Sequence, residues 1–374
     1  MFDLKNVTLK KLGIDRQNCL KPPVAVKVVG VGGGGCNALA KMVGTQKLGI
    51  KYLAVNTDTQ ALGTMNQIPT FAIGPKVTGG LGSGGNSKIG KKAIRESQDQ
   101  VGELLSGVEM VFITAGMGGG TGTGAAPVIA DIAKKFGILS IAVVTTPFSF
   151  EGSRRKNIAE QGVISLRQKV DTLITIDNDR LISPFAHKVS LEEAFQLSDS
   201  VLGDAVNGIW NLVNEPGFIN VDFADIRSII KDGGSGFISI GHGNGENSVQ
   251  DAVKDALNTP LFSNPIEGSS GIIMNVRGGL DMSLDKINDA ANLVTNLTGS
   301  ETQLVFGVVK ERRMKNKTDV ILLATGTGEA GETSITKSQS TLAKKSPTIS
   351  LTEFTGESLV RGNSKVLSGL ASSN

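Results

Sequence analysis

VAVKVVGVGGGGCNALAKMV, residues 24–43, decides the fold class. It opens as a short β-branched run from Val24 to Val31, breaks into glycine, and resumes as a helical pattern at Asn37. A continuous apolar run of this length suits a strand buried on both faces. A strand, a glycine turn and a helix together form the unit from which parallel sheets are built. The pattern recurs outward along the chain. YLAVNTD (Tyr52 to Asp58), MVFITAG (Met110 to Gly116), LSIAVVTTP (Leu139 to Pro147) and TLITIDND (Thr172 to Asp179) read as further strands. APVIADIAKKF from Ala126 and RRKNIAEQGVISLRQKV from Arg154 read as helices between them.

SLEEAFQLSDSVLGDAVNGIWNLV, Ser190 to Val213, starts with Ser-x-x-Glu, a capping box, and reads as a long connecting helix. Beyond it, strands near Gly236 to Gly241, Gly271 to Val276, Thr302 to Val309 and Val320 to Thr325 alternate with helices near Ser248 to Leu257 and Ser283 to Leu297. The expected architecture is α/β: a parallel-sheet domain over 24–189, a central helix over 190–213 and a smaller α+β domain over 214–328. An N-terminal extension (1–23) precedes these, and a Gly/Ser/Thr/Lys-rich tail (329–374) that reads as flexible follows them. Within the tail, ISLTEFTGESLVRG reads either as plain disorder or as a short docking segment.

Bulk properties exclude several functions. Net charge is +3 over 374 residues, with no basic field of the kind nucleic acid requires. Cys19, Cys36, His187 and His242 are the only cysteines and histidines, which argues against a disulfide framework, a zinc site or a Ser-His-Asp triad. No stretch has the apolar length of a signal peptide core or a membrane span, so a cytoplasmic location is expected. The 48 glycines, about twice the usual share, are the anomaly.

Two glycine runs, GVGGGGCN (Gly30 to Asn37) and GMGGGTGTG (Gly116 to Gly124), each follow a strand and open a helix. Backbone N–H groups of such loops close on phosphate oxygens, and the helix N-terminus adds partial positive charge. A third run, GGLGSGGNSKIG (Gly79 to Gly90), again leads into a helical pattern, and three loops at one sheet edge suit a polyphosphate. Any one of them alone also reads as a tight turn or a close packing contact. Gly30, Gly32 and Gly35 satisfy GxGxxG with Asp58 some twenty residues on, so an NAD-linked oxidoreductase is the competing reading. A dinucleotide has no use for the second loop, however. GNSKIGKK (Gly85 to Lys92) approaches a P-loop but ends in Lys92 where Ser or Thr would ligate Mg²⁺.

GGGTGTG at Gly118 to Gly124 resembles the signature of the tubulin/FtsZ family of GTPases. NTD (Asn56 to Asp58), TTPFSFEGSRR (Thr145 to Arg155) and NVDFADIRSII (Asn220 to Ile230) are similar to further motifs of that family, in the same order, over roughly Val24 to Gly326. The resemblance implies a cell-division GTPase that assembles head to tail and acts in the cytoplasm at mid-cell. It implies GTP or GDP as ligand, with Mg²⁺ held mainly by the phosphates and no dedicated protein metal site.

By the same resemblance Gly33, Gly34, Gly35 and Asn37 lie near the phosphates and guanosine, with Asn56 and Asp58 beside them. Gly118, Gly119, Gly120, Thr121 and Gly122 wrap the α and β phosphates, and Gly84, Gly85 and Asn86 approach the γ-phosphate. Thr145, Pro147, Glu151 and Arg155 fall near the ribose, with Asn178, Phe195 and Asp199 at the guanine. A carboxylate there accepts from guanine N1–H and the 2-amino group together, a donor pair that adenine lacks. The family commonly carries an acid at the next position, where this chain has Ser200.

Asn220, Asp222 and Asp225 are implied to polarise the attacking water at the neighbouring subunit's nucleotide, completing the site in trans. Read without the resemblance, Asp222 is a helix N-cap, Asp225 a first-turn carboxylate and Asp199 an exposed helix charge. Division proteins and membrane tethers are implied partners of the tail. Its Phe354 and Arg361 lack the accompanying Pro usual in the family.

Overall fold

The computed structural model describes residues 24–43, 50–183, 189–214, 217–219, 221–258, 266–299 and 302–327. The N-terminal extension, the tail and Asn220 lie outside the described residues. One ten-stranded sheet organises the rest. Its strands are β1 (Val26–Val31), β2 (Ile50–Asn56), β3 (Thr70–Ala72), β4 (Met110–Gly116), β5 (Leu139–Thr146), β6 (Thr172–Asp177), β7 (Gly234–Asn244), β8 (Gly271–Gly278), β9 (Gln303–Lys310) and β10 (Lys317–Thr325), in the order β3-β2-β1-β4-β5-β6-β7-β10-β8-β9.

From β3 through β7 neighbouring strands are parallel. β10 then runs antiparallel to both β7 and β8, while β9 pairs parallel to β8. The parallel half needs helices on both faces, and β4 and β5 are accordingly buried almost throughout.

The helices are α1 (Gly32–Val43), α2 (Thr59–Gly63), α3 (Pro75–Thr78), α4 (Ser87–Glu96), α5 (Gln98–Leu105), α6 (Thr121–Lys135), α7 (Ser153–Arg167), α8 (Asn178–Ile182), α9 (Leu191–Asn214), α10 (Phe223–Ile230), α11 (Ser248–Leu257) and α12 (Leu284–Thr298). One core lies where α1, α9 and α10 meet the sheet, with Leu39, Met42, Phe112, Ile141, Val206 and Ile226 inside it. A second lies beneath α4 to α7 around Ile94, Ile113, Ile129 and Leu166. The third, around Val253, Met274, Ile287 and Leu322, belongs to the smaller α+β domain. Among the described residues no helix is long and apolar enough to cross a membrane.

α9 begins as its sequence indicates. Ser190 Oγ accepts from Glu193 N at 3.2 Å and Glu193 Oε2 accepts from Ser190 N at 2.7 Å, a reciprocal capping box. Its 24 residues span about 36 Å at ~1.5 Å each. Gly203 and Gly208 let it lie close to Met42 of α1 and to Ile238 and Ile321 of the sheet.

Two helices start earlier than their composition indicates. α1 begins at Gly32 rather than Asn37, and α6 at Thr121 inside the glycine motif rather than at Ala126. Packing overrides weak glycine propensity in both. A Cβ at Gly35 would sit 2.3 Å from Thr114 O, and one at Gly124 2.2 Å from Ser87 O. Only glycine permits those approaches.

Candidate functional site

The carboxyl ends of β1, β2, β4, β5 and β6 open on the same edge of the sheet, where open α/β folds bind ligands. β1 pairs directly with β4, so their glycine loops are neighbours. A Cβ on Gly34 would lie 3.2 Å from Gly116 N, and one on Gly32 2.8 Å from Gly122 N. The third loop joins them: a Cβ on Gly120 would fall 2.3 Å from Ser83 Oγ and 2.7 Å from Asn86 N. Thr121 Oγ1 of the second loop joins the third loop and the turn after β2, 3.0 Å from Ser83 Oγ and 2.6 Å from Thr57 Oγ1.

The glycines divide into two kinds. Gly33, Gly84 and Gly85 are exposed, and a Cβ there meets nothing within 4 Å. At Gly119 the nearest atom would be Gly116 O at 3.9 Å. Gly34 and Asn37 are also exposed. These positions leave a backbone-lined cradle at the N-termini of α1, α4 and α6 with room for phosphate oxygens. At Gly35, Gly118, Gly120 and Gly122 a Cβ would fall within 3.0 Å of protein atoms, so these four also pack the loops tightly against their neighbours. Gly118 also has φ 93 and closes on Arg155 O.

Other sequence-derived residues have local tasks. Asp58 is the N-cap of α2 and accepts from Gln60 N at 2.9 Å and Ala61 N at 3.1 Å. One of its two carboxylate oxygens, Oδ1, is thereby engaged within its own chain. Buried Asn56 accepts from Thr57 N at 2.8 Å and shapes the turn after β2. Asn86 caps α4 by accepting from Lys88 N. The P-loop look-alike fails, because Ser87 to Lys92 already lie within α4 and the element before it is α3 rather than a strand. Thr145 and Pro147 are buried beneath the second loop.

Beside the cradle, Glu151 accepts from Phe148 N at 2.9 Å and pairs with Arg155 at 2.7 Å. Buried Asn178 accepts from Ser198 Oγ at 2.8 Å. Phe195 meets Phe148 and Phe150 edge-on at 5.3 and 6.3 Å, while Phe148 and Phe150 stack at 5.1 Å. The aromatic wall is thus larger than Phe195 alone. One turn further along α9, Asp199 faces Lys41 of α1 at 3.4 Å. Burial pushes the Asp199 carboxyl above its ordinary range, and Lys41 acts in the opposite direction. The Ser200 hydroxyl donates to Gln196 O and offers no substitute carboxylate.

Asp222 and Asp225 sit elsewhere. Both are exposed on the first turn of α10, Asp222 at the N-cap position. Arg227 donates to Gly137 O, just before β5, and Ile230 O accepts from Thr172 Oγ1 at the start of β6. α10 therefore lies at the amino ends of the strands whose carboxyl ends carry the cradle. Among the described residues no cluster of three or more His, Cys, Asp or Glu is arranged to hold a metal.

A parallel sheet with three interlocked glycine loops at its carboxyl edge defines a nucleoside-phosphate-binding protein. The family model for "Tubulin/FtsZ family, GTPase domain" matches residues 25–185, and that for "FtsZ family, C-terminal domain" matches 234–328. An FtsZ dimer from M. jannaschii is 37% identical, with TM-score 0.77 over 87% of this chain and 93% of that one. A point mutant of M. jannaschii FtsZ gives 37% identity and TM-score 0.76 over 86% and 95%. CetZ2 from Haloferax volcanii shares the fold at 20% identity, with TM-score 0.71 over 82% and 94%. The chain belongs to the FtsZ family. It is accordingly a GTP-binding, GTP-hydrolysing cytoskeletal protein that self-assembles, and the oxidoreductase reading falls.

Proposed function

We propose that the cradle holds GTP and that hydrolysis is completed by the acidic turn of the next subunit in a head-to-tail filament. The observation that carries this reading is the separation of the two halves of the chemistry. β5, eight residues long, stands between Gly137 and the cradle beside Pro147. At ~3.3 Å per residue that is about 26 Å, beyond the reach of any aspartate side chain. Asp222 and Asp225 do not serve their own cradle, yet both are exposed at the opposite end. Stacking one copy on another brings the two together, and the M. jannaschii relative is itself a dimer.

In this reading Gly33, Gly34, Gly119 and the exposed turn Gly84 to Asn86 receive the phosphates through backbone N–H groups. Glu151 and Arg155 border the ribose. The base lies against Phe195 and Phe150, with Asp199 accepting from guanine N1–H and the 2-amino group. Asn178, whose oxygen is engaged by Ser198, has amide hydrogens left to donate to a base carbonyl. Asn220, Asp222 and Asp225 of the adjoining copy position and polarise water. Mg²⁺ held mainly by the phosphates supplies charge neutralisation, the larger part of what phosphoryl transfer demands. Family membership supports action in the cytoplasm at the mid-cell division site, with division proteins and tethers engaging the tail near Phe354 and Arg361.

Mixing two inactive proteins tests the shared site. Asp225→Ala should bind GTP and hydrolyse it slower by a factor on the order of 10² to 10⁴. Gly119→Val should keep its fold and lose nucleotide. Combined, the intact cradle of the first meets the intact acidic turn of the second, so phosphate release should partly return. In the parent, activity per subunit should rise with protein concentration. If mixing restores nothing and specific activity is independent of concentration, catalysis is confined to single subunits and the proposal is wrong.

A further inference from the structure

Lys41 and Asp199 meet where α1 packs on α9. Lys41 Nζ lies 3.4 Å from Asp199 Oδ2 and also donates to Gln196 O at 3.0 Å, so one ammonium bridges the carboxylate and the preceding turn of α9. The Asp199 side chain is only 17% exposed. The other polar groups around this wall are neutral or already engaged. Ser198 is bonded to Asn178, the Ser200 hydroxyl to Gln196 O, Arg180 to Asp177, and Asp179 to Ser149. On α9 itself Glu192 and Glu193 precede Asp199 by about two turns and Asp204 follows by more than one, all of them acids. From α1 the facing charge is Lys41, which approaches Oδ2; with two lone pairs on each carboxylate oxygen, both Oδ1 and Oδ2 keep one for a further donor.

This step rests on the reading of Asp199 as the guanine acceptor. We infer that Lys41 is a positioning residue for guanine recognition, holding Asp199 as a charged and correctly turned acceptor and so setting the preference for guanine nucleotides. The chemistry is direct. Accepting from N1–H and the 2-amino group requires both oxygens of an ionised carboxylate, whereas a protonated one presents an O–H to one of those donors. Burial favours the protonated form, and Lys41 is the charge that opposes it. Removing Lys41 raises the pH at which Asp199 takes up a proton and frees the carboxylate to rotate.

The experiment compares GTP and inosine triphosphate, which lacks the 2-amino group but keeps the triphosphate, so defects in the phosphate loops cancel in the ratio. Dissociation constants are measured from pH 5.5 to 8 for the parent, Lys41→Met, Lys41→Arg and Asp199→Ala, with folding checked by thermal unfolding. Asp199→Ala should erase the preference for GTP at every pH. Lys41→Met should lose about fivefold in the GTP to inosine triphosphate ratio at pH 8, the size expected of a partly exposed ion pair, and progressively more as pH falls. Lys41→Arg should restore both the ratio and the pH profile. If Lys41→Met keeps the parental ratio and profile, or weakens both nucleotides equally at all pH, the positioning role is refuted while Asp199 stands. An Asp199→Ala protein that still prefers GTP overturns the Asp199 reading itself.

Discussion

Neighbouring glycines in GGGTGTG look interchangeable in the sequence and are not interchangeable in space. Gly119 borders open space, whereas Gly120 is pressed against Ser83 Oγ and Asn86 N. Gly119→Ala should therefore unfold within ~0.5 kcal/mol of the parent in nucleotide-free buffer, as surface changes usually do. It should nonetheless weaken GTP tenfold or more, because displacing one charge-assisted hydrogen bond forfeits about 1.5 to 3 kcal/mol. Gly120→Ala should lose roughly 1 to 3 kcal/mol of stability from overpacking against backbone that has to shift. Thermal unfolding without nucleotide separates the two, and equal stability would contradict the division of roles. The sequence announces that phosphate loops exist; which glycine faces phosphate depends on a third loop some thirty residues away. Lys41 is illegible for the same reason, since its partner is set by how α1 packs on α9. Asp58 reads two ways in the sequence because strand-end acids serve as caps as readily as ribose ligands, and only the structure shows its cap.

Among the elements, those fixed by long apolar runs or clear capping are readable. β4 matches its apolar run end to end, and α9 starts behind its capping box. Between Asp58 and Met110 the helix after the third glycine run, α4, is readable and the shorter elements are not. β3 has three residues and α3 four, too short for periodicity, and both depend on packing against neighbours. α6 is half hidden because Pro127 lies inside it, and proline normally argues against a helix interior. The capping box also bears on function, since Phe195 and Asp199 occupy the first turns of α9. Ser190→Ala should cost about 1 kcal/mol, lowering the urea midpoint with m unchanged. Fraying there should also weaken GTP several-fold while leaving any contact made by α10 untouched. A variant with a lowered midpoint but parental GTP affinity would show that the base wall does not depend on this cap.

At the scale of the whole molecule, the sheet runs without interruption from the cradle-bearing strands into the smaller domain, and β6 to β7 is the joint. α9 spans both halves, and four acids and bases from four elements gather where it meets the second half. His242 Nδ1 on β7 lies 2.7 Å from Asp319 Oδ1 on β10, and His242 N donates to Asp255 on α11 at 2.9 Å. The hydrogen bond to Asp319 raises the His242 pKa most, burial opposes it, and the fields of Asp319, Asp255 and Asp204 of α9 add to the rise. A histidine raised in the folded state contributes stability that is fully present below its unfolded pKa of about 6.5 and is lost as pH rises through the higher folded value. The imidazole is 55% exposed, so solvent screens these fields and the effect is a small one. The parent should thus lose a little stability as pH is raised from about 6.5 through the folded pKa. His242→Gln should remove that slope while staying folded, because glutamine can still donate to Asp319. Urea midpoints measured across this window for both proteins decide the matter. Parallel pH profiles would mean that His242 contributes no proton-linked stability.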